Sequence, residues 1–265
     1  MPGGTKGMAR LARAPRKPSL VPDTSAAPAR TRWEAVDLLR GIAIVAMIVY
    51  HFCFDLAYHG WIRADFGEDW RWIWFRIPIL GSFLFVVGVS LALGLASAES
   101  GAHFWRRIGK ITLAAALVSA GSYVVFPQSF ITFGVLHAIA LMSVLARPLL
   151  PLRWLMLPAA IAIIGFGNLV RSPVFDAAWL NWIGMMTFKP RTEDYVPLFP
   201  WFGMMLLGAC AGGWAAGDKA VAETLARWRI PGGLRWIGWL GRHSLIVYLV
   251  HQPLIFGTMM LVAGR

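Results

Sequence analysis

The chain has 265 residues, of which 58% are hydrophobic and only 14% are charged, and its mean hydropathy is +0.61. Soluble proteins carry about 25% charged residues, so this composition excludes an ordinary soluble domain and predicts a membrane protein. The net charge of +12 would suit a nucleic-acid-binding protein, but in a membrane protein it is typical of basic cytoplasmic segments. We therefore expect a lipid bilayer as a partner, and no nucleic acid.

Residues 1–33 precede the first apolar segment and are rich in Ala, Pro and Arg. They contain no apolar core of the kind that defines a signal peptide. Their composition predicts a disordered, basic cytoplasmic tail. A membrane domain over residues 34–265 is expected to follow it.

Seven apolar segments after the tail are predicted to be membrane helices. They cover residues 35–58, 73–97, 105–126, 130–150, 153–172, 196–216 and 235–262. Lys and Arg are more frequent in the tail and in the second, fourth and sixth loops, which places the amino terminus inside and the carboxyl terminus outside. The predicted fold class is an all-α, polytopic integral membrane helix bundle of about seven transmembrane helices. Alternatively, residues 173–188 dip into the membrane without crossing it.

The first span carries a polar stripe that is unusual for a membrane helix. Asp37, Arg40, His51 and Asp55 interrupt an otherwise apolar run. At about 100° per residue they fall within an arc of about 60°, and they extend over about 27 Å of helix. Ionisable groups inside a bilayer cost several kcal/mol and normally face the protein interior. The stripe therefore predicts a functional core.

Polar residues of later segments are predicted to gather at the two ends of this stripe. Helical spacing brings the polar residues of the seventh span onto one face, and a polar face in lipid must turn toward other helices. The residues expected near the inner face are Asp37, Arg40, Arg242 and His243. Those expected toward the outer face are His51, Asp55, His137, Asp194, Tyr195, Tyr248, His251 and Gln252.

His51 and Asp55 are spaced i, i+4 in the first span. At this spacing the carboxylate can accept a hydrogen bond from one ring nitrogen and raise the basicity of the other. Such a pair suits a general base. The alternative is a structural His–Asp pair that holds helices together, and the residues alone leave both interpretations open.

Asp37 and Arg40 are spaced i, i+3 near the inner face, where two interpretations also remain open. The pair is either mutually neutralising or part of a cytoplasmic site for an anion. Arg242 and His243 favour the anion site, because an acyl donor that carries phosphates needs cations.

Several common catalytic motifs do not occur in the sequence. It has no HExxH pattern, so no metal is expected, and no GxSxG, P-loop or GxGxxG motif. Cys53 and Cys210 lie in apolar segments, with a spacing that suits neither zinc nor a disulfide framework. Both are predicted to have packing roles.

Five motifs, in order, carry a resemblance to a known family. They are DLLRGIAIVAMIVYHFCFDL, FLFVVGVSLAL, FGVLHAIAL, DYVPLFPWFGMMLLG and LGRHSLIVYLVHQPL. Together they resemble the bacterial membrane branch of the heparan-alpha-glucosaminide N-acetyltransferase catalytic-domain family, over about residues 32–260. The resemblance implies a multi-helix membrane acyltransferase that uses cytosolic acetyl-CoA to acetylate an amino group of a sugar across the membrane. It also implies that a histidine takes part in the transfer.

The resemblance gives each end of the polar stripe a role. The inner residues would hold the phosphates of the donor, and His51, oriented by Asp55, would be the base, with His59 as the reserve candidate. The animal pattern has a glutamine at the position of His137, so His137 is expected to contact the acceptor without being the base. The remaining residues expected to shape the acceptor side are Asp194, Tyr195, Tyr248, His251 and Gln252.

The leading hypothesis is transfer of an acetyl or short acyl group from cytosolic acetyl-CoA to an amino or hydroxyl group of a glycan or other polar acceptor. The protein would be a multi-pass protein of the plasma (inner) membrane; neither a lysosomal location nor a heparan substrate is carried over. One alternative is a proton-coupled transporter or flippase that uses the same His and Asp residues. Another is a non-catalytic subunit with polar contacts between helices. The small-residue stretch 203–213 is compatible with a homo-oligomer and with internal packing.

Overall fold

Helices account for nearly all the regular structure of the protein. The computed structural model describes Gly3 and residues 32–264, so the tail prediction falls almost wholly outside the described residues. In this described part the α-helices are α1 Glu34–Tyr58, α2 Trp70–Ala96, α3 Gly101–Val125, α4 Val135–Ala146, α5 Arg153–Leu169, α6 Leu198–Gly217, α7 Lys219–Arg227, α8 Arg235–Arg242 and α9 Ser244–Ala263.

Helices α1, α2, α3, α6 and α9 are each long and apolar enough to cross a membrane. Helices α4 and α5 are also apolar but have only 12 and 17 residues. At 1.5 Å per residue α4 covers about 18 Å, less than the roughly 30 Å of a bilayer core. Most of its residues are buried, so α4 lies enclosed among other helices. This architecture is that of a polytopic helical membrane protein, as the sequence predicted.

The span predicted over 130–150 is wrong in length, because α4 covers only Val135–Ala146, and the structure departs from the predicted boundaries in two further places. The segment predicted as one span over 235–262 is two helices, because α8 ends at Arg242 and α9 begins at Ser244. The loop that precedes it contains the short exposed helix α7, whose first turn is capped by the carboxylate of Asp218. Of these two short helices, α8 contacts the amino-terminal end of α9, whereas α7 contacts α6 and α1.

The segment 173–188 forms two short 3₁₀ helices, Pro173–Asp176 and Ala178–Ile183. The second helix ends at Gly184, whose φ of +96° is readily accessible only to glycine. The side chain of Asp176 accepts hydrogen bonds from the N–H and hydroxyl of Thr187. These bonds connect the first 3₁₀ helix to the end of the segment.

Small residues allow α6 to pack closely inside the bundle. A Cβ atom at Gly208 would overlap the backbone of Phe85 in α2, and one at Gly203 would overlap Ile164 in α5. Cys210, on the same helix, packs against the core as predicted. The small-residue stretch 203–213 therefore serves internal packing.

Helix α1 lies against α8 at one end and α9 at the other. A Cβ atom at Gly41 would overlap the carbonyl of Ile237, and one at Gly241 would overlap the carbonyl of Asp37, so the backbones of α1 and α8 touch. Further along α1, the ring of His51 contacts His251 of α9. This arrangement turns the polar stripe of α1 toward other helices.

Candidate functional site

At the end of α1 that the sequence predicts to be the inner one, the site is built around the buried carboxylate of Asp37, which is 3% exposed. Arg32 donates to it from Nε at 2.6 Å and from Nη2 at 3.0 Å. Arg40 donates from Nη1 at 3.3 Å. Two guanidinium groups therefore compensate the charge of one buried carboxylate.

Arg40 also connects three helices. Its Nη1 donates to the carbonyl of Gly241 in α8 at 3.4 Å, and its Nη2 donates to the hydroxyl of Ser90 in α2 at 2.8 Å. Asp37 and Arg40 thus form an ion pair, and the alternative interpretation of a cytoplasmic anion site stays a prediction. Sequence reasoning missed Ser90, although its position inside the motif FLFVVGVSLAL signalled a polar group in a membrane helix.

The other two inner candidates lie where α8 meets α9. Arg242 is exposed and lines a depression of about 230 Å³ with Glu34, Arg229, Ile230 and Arg235. The Nδ1 atom of His243 lies 2.9 Å from the carbonyl oxygen of Trp239, and the two rings are 4.5 Å apart. Arg242 thus directly follows Gly241, whose carbonyl oxygen accepts the hydrogen bond from Nη1 of Arg40.

At the opposite end of α1, which the sequence predicts to be the outer one, two histidines of α1 and α9 lie side by side. The ring centroids of His51 and His251 are 5.1 Å apart, with an angle of 60° between the planes. His251 is 8% exposed, and its Nδ1 lies 2.7 Å from the carbonyl oxygen of Tyr248. His51 is partly buried and makes no hydrogen bond with any residue that the structure describes.

Asp55 does not bond His51, contrary to the prediction from their spacing. Its fully buried carboxylate instead accepts hydrogen bonds from Nε2 of Gln252, at 2.9 and 3.1 Å. A buried carboxylate needs donors, and the amide from the facing helix supplies them to both oxygens. The bond thus joins α1 to α9 beside the two histidines.

Asp194, which precedes α6 in the sequence, lies beside the first residue of α4 and also contacts α9. Its Oδ2 accepts a hydrogen bond from the N–H of Val135 at 2.8 Å and another from the hydroxyl of Tyr248 at 3.5 Å. Burial raises the pKa of the Asp194 carboxyl, and the Val135 N–H and the positive charge of Arg76 oppose the rise. Sequence reasoning missed Arg76, which lies near the start of the second span.

His137 has partners at both ring nitrogens. Its Nδ1 accepts a hydrogen bond from the N–H of Gly134 at 3.3 Å, and its Nε2 lies 3.3 Å from the hydroxyl of Ser119. The ring therefore stabilises the first turn of α4, an arrangement that leaves no nitrogen free to act as a base.

Tyr195 and His59 lie in different surroundings from the histidine pair. The hydroxyl of Tyr195 donates to the carbonyl of Asn181 at 2.8 Å, so this side chain holds the outer loop. The ring of His59 lies 5.7 Å from Trp61 and 5.6 Å from Phe256, and its Nε2 is buried without a partner among the described residues.

A helix bundle with ionisable groups turned inward at both ends of one membrane helix defines a polytopic membrane protein with a polar interior. Over residues 32–253 the sequence matches the family described as "Heparan-alpha-glucosaminide N-acetyltransferase, catalytic". The chain belongs to this transferase family, which confirms the resemblance carried by the five motifs.

No curated protein and no solved structure matches the chain. Among residues 32–264 there is no group of three or more His, Cys, Asp or Glu side chains that could hold a metal ion.

Proposed function

We propose that the protein is a membrane acyltransferase of the plasma (inner) membrane. It moves an acetyl or short acyl group from cytosolic acetyl-CoA to an amino or hydroxyl group of a glycan or other polar acceptor at the outer face. The observation that supports this proposal is that α1 contains both a cationic site, at Arg40, and a histidine site, at His51. The two residues are about 16 Å apart along the helix axis.

The inner site suits the phosphates of the donor. Arg40 donates hydrogen bonds to Asp37, Ser90 and the carbonyl of Gly241, so it connects α1, α2 and α8 at the inner end of the bundle. Arg242 is exposed and makes the first contact with an incoming phosphate. With the phosphates held there, the pantetheine arm of CoA extends along α1 and α9 and carries the thioester toward His51.

The chemistry at the outer site is transfer of the acyl carbon from sulfur to nitrogen or oxygen. In direct transfer the acceptor atom attacks the thioester carbonyl carbon, the carbon–sulfur bond breaks, and the proton of the acceptor ends on the CoA sulfur. In the covalent route a ring nitrogen of His51 attacks that carbon first and its proton ends on the sulfur. The acceptor atom then attacks the acetyl carbon, the carbon–nitrogen bond breaks, and the proton of the acceptor ends on His51. His51 supports this exchange either as the base that carries the proton or as the nitrogen that briefly carries the acetyl group. Both routes give the same products.

A test of the proposal is acetyl transfer by the purified, detergent-solubilised protein with radiolabelled acetyl-CoA. Wild type, His51→Ala and the control His103→Ala are compared for label on the protein and label passed to glucosamine or a glycan mixture. His103 is an exposed residue of α3 that pairs with Glu99. We expect transfer by wild type and the control, and none by His51→Ala.

Two results would contradict the proposal at different levels. Normal transfer by folded His51→Ala protein would overturn the role of His51. Folded wild-type protein that neither binds nor consumes acetyl-CoA would overturn the acyltransferase and favour a transporter, which would show substrate flux dependent on a proton gradient.

A further inference from the structure

The histidines of the bundle differ in how their ring nitrogens are occupied. Both nitrogens of His137 have partners. In His251 only Nδ1 has one, since Nε2 is buried and has no hydrogen-bond partner in the part of the chain that the structure describes. Leaving a buried polar atom without a partner costs about 1–3 kcal/mol, so this nitrogen calls for an explanation.

The hydrogen bond at Nδ1 settles where the proton of the neutral His251 ring lies. Its partner is the carbonyl oxygen of Tyr248, which can only accept a hydrogen bond. Nδ1 therefore carries the hydrogen, and Nε2 presents a lone pair. This is the tautomer that a general base needs, fixed by the backbone of the same helix.

The surroundings place this lone pair at the outer site. The ring of His251 lies 5.1 Å from that of His51, and the neighbouring Gln252 binds Asp55 while its own Oε1 remains buried without a partner among the described residues. His251 and Gln252 thus present two unsatisfied acceptors beside the polar stripe of α1. A polar acceptor with N–H or O–H groups would satisfy both.

We propose that His251 is a second catalytic residue, the general base whose Nε2 takes the proton of the acceptor. This rests on the proposed acyltransferase function. As the acceptor atom bonds to the acetyl carbon, its proton moves to Nε2 and the bond from that carbon to its leaving atom breaks. The proton then passes from Nε2 to the leaving atom, which is the CoA sulfur in direct transfer or the ring nitrogen of His51 if His51 carries the acetyl group.

The division of roles follows from what holds each ring. His51 has no hydrogen bond with a described residue to fix its tautomer, and Asp55, the group expected to orient it, is bound to Gln252 instead. His251 has both the fixed tautomer and the unpartnered nitrogen. His51 is then the residue that contacts or carries the acetyl group, and His251 is the one that moves the proton.

The test is steady-state acetyl transfer by His251→Gln, with wild type and His103→Gln as references, from pH 6 to pH 10. General bases contribute about 10²–10⁴-fold to rate, so we expect kcat to fall at least about 100-fold while KM for acetyl-CoA changes less than about twofold. The residual rate should rise with pH, because the acceptor must lose its proton without help. Among the described residues, His51 lies against His251, Asp194 accepts a hydrogen bond from Tyr248, and Asp55 is bound by the neighbouring Gln252; all three remain in every variant.

Imidazole rescue separates a base from a merely structural histidine. Truncation in His251→Ala leaves room for added imidazole, which should restore part of kcat in a saturable way, whereas His103→Ala should not respond. Size-exclusion chromatography and thermal unfolding check that each variant is folded.

Three outcomes would count against the proposal. A kcat for His251→Gln above a tenth of the wild-type value, with the wild-type pH profile, would overturn the role of His251. So would a loss of activity that neither pH nor imidazole relieves, because that pattern belongs to a structural residue. Wild-type protein that consumes no acetyl-CoA would overturn the proposed function, and this inference with it.

Discussion

The ionisable side chains at the two ends of helix α1 differ in how fully their polar atoms are hydrogen-bonded. At the inner end, the carboxylate of Asp37 is bound by two arginines, and the guanidinium of Arg40 has three partners. At the outer end, His51 has no hydrogen bond to a described residue, and His251 leaves Nε2 without one. The buried charges at the inner end are therefore compensated, whereas ring nitrogen atoms at the outer end have no hydrogen-bond partner among the described residues.

The difference follows from the cost of burying each kind of group. A charged side chain in a low-dielectric interior must be paired, since an unpaired charge costs several kcal/mol. A neutral imidazole costs much less and can hold a lone pair ready for a proton. Changes at the inner end should therefore affect folding first, and changes at the outer end should affect chemistry first.

The largest expected effect is at His51. His51→Gln should lower kcat for acetyl transfer at least about 1,000-fold, because this ring takes a direct part in the reaction in both routes. His59→Gln should lower it less than about tenfold, because His59 packs between the rings of Trp61 and Phe256. Steady-state transfer by the two variants measures the ranking, and the reverse order would move the reacting histidine to the end of α1.

The next effect is on stability at the inner end. Asp37→Ala removes the carboxylate that compensates Arg40, and breaking such a buried pair typically costs about 3–5 kcal/mol. Arg32→Ala should cost no more than about 1 kcal/mol, because its side chain is 60% exposed. Unfolding in detergent, followed by tryptophan fluorescence, compares the two. Equal losses would show that Asp37 depends on Arg32 rather than on Arg40.

The bond between Asp55 and Gln252 is the compensated contact of the outer end. We expect a coupling free energy of about 1.5–3 kcal/mol in a double-mutant cycle of Asp55→Ala and Gln252→Ala, since the acceptor is charged and the bond joins two helices. Unfolding free energies of the four proteins give this value. A coupling near zero would mean that the two side chains act independently.

The sequence predicted the helices well where hydropathy decides. The first span was placed at 35–58 and is Glu34–Tyr58, and the sixth was placed at 196–216 and is Leu198–Gly217. The break between α8 and α9 was missed, because a single glycine inside an apolar run, Gly241, does not by itself mark the end of a helix. What places α8 there is contact between its backbone and α1, which a local pattern does not contain.

The sequence predicted which residues belong to the candidate site better than it predicted which of them contact each other. Residue depth along α1 and α9 put His51 near His251, and the structure brings their rings together. Spacing within one helix suggested Asp55 as the partner of His51, yet the actual partner, Gln252, lies on another helix. Side chains at i, i+4 share a face, but the helix packed on that face determines which of them is bound.

The smallest effect we predict tests whether the two ends can be separated. A Cβ atom on Gly41 would overlap the carbonyl oxygen of Ile237, so Gly41→Ala must push α8 away from α1. Overpacking of this kind costs about 1–3 kcal/mol. Gly109→Ala is the matched control, because a Cβ atom there meets nothing within 4 Å. It should leave the free energy of unfolding unchanged or raise it by up to about 1 kcal/mol, since alanine favours the helix.

The same pair of variants has a second readout in catalysis. His51 lies about 15 Å further along α1 than Gly41, beyond the contact with α8. With saturating acetyl-CoA, Gly41→Ala should therefore keep at least half of the wild-type kcat, even though its unfolding free energy falls. A loss of kcat as large as that of His51→Gln would show that the backbone contact of α1 with α8 sets the geometry of the outer histidines as well, and the inner end would then belong to the catalytic machinery.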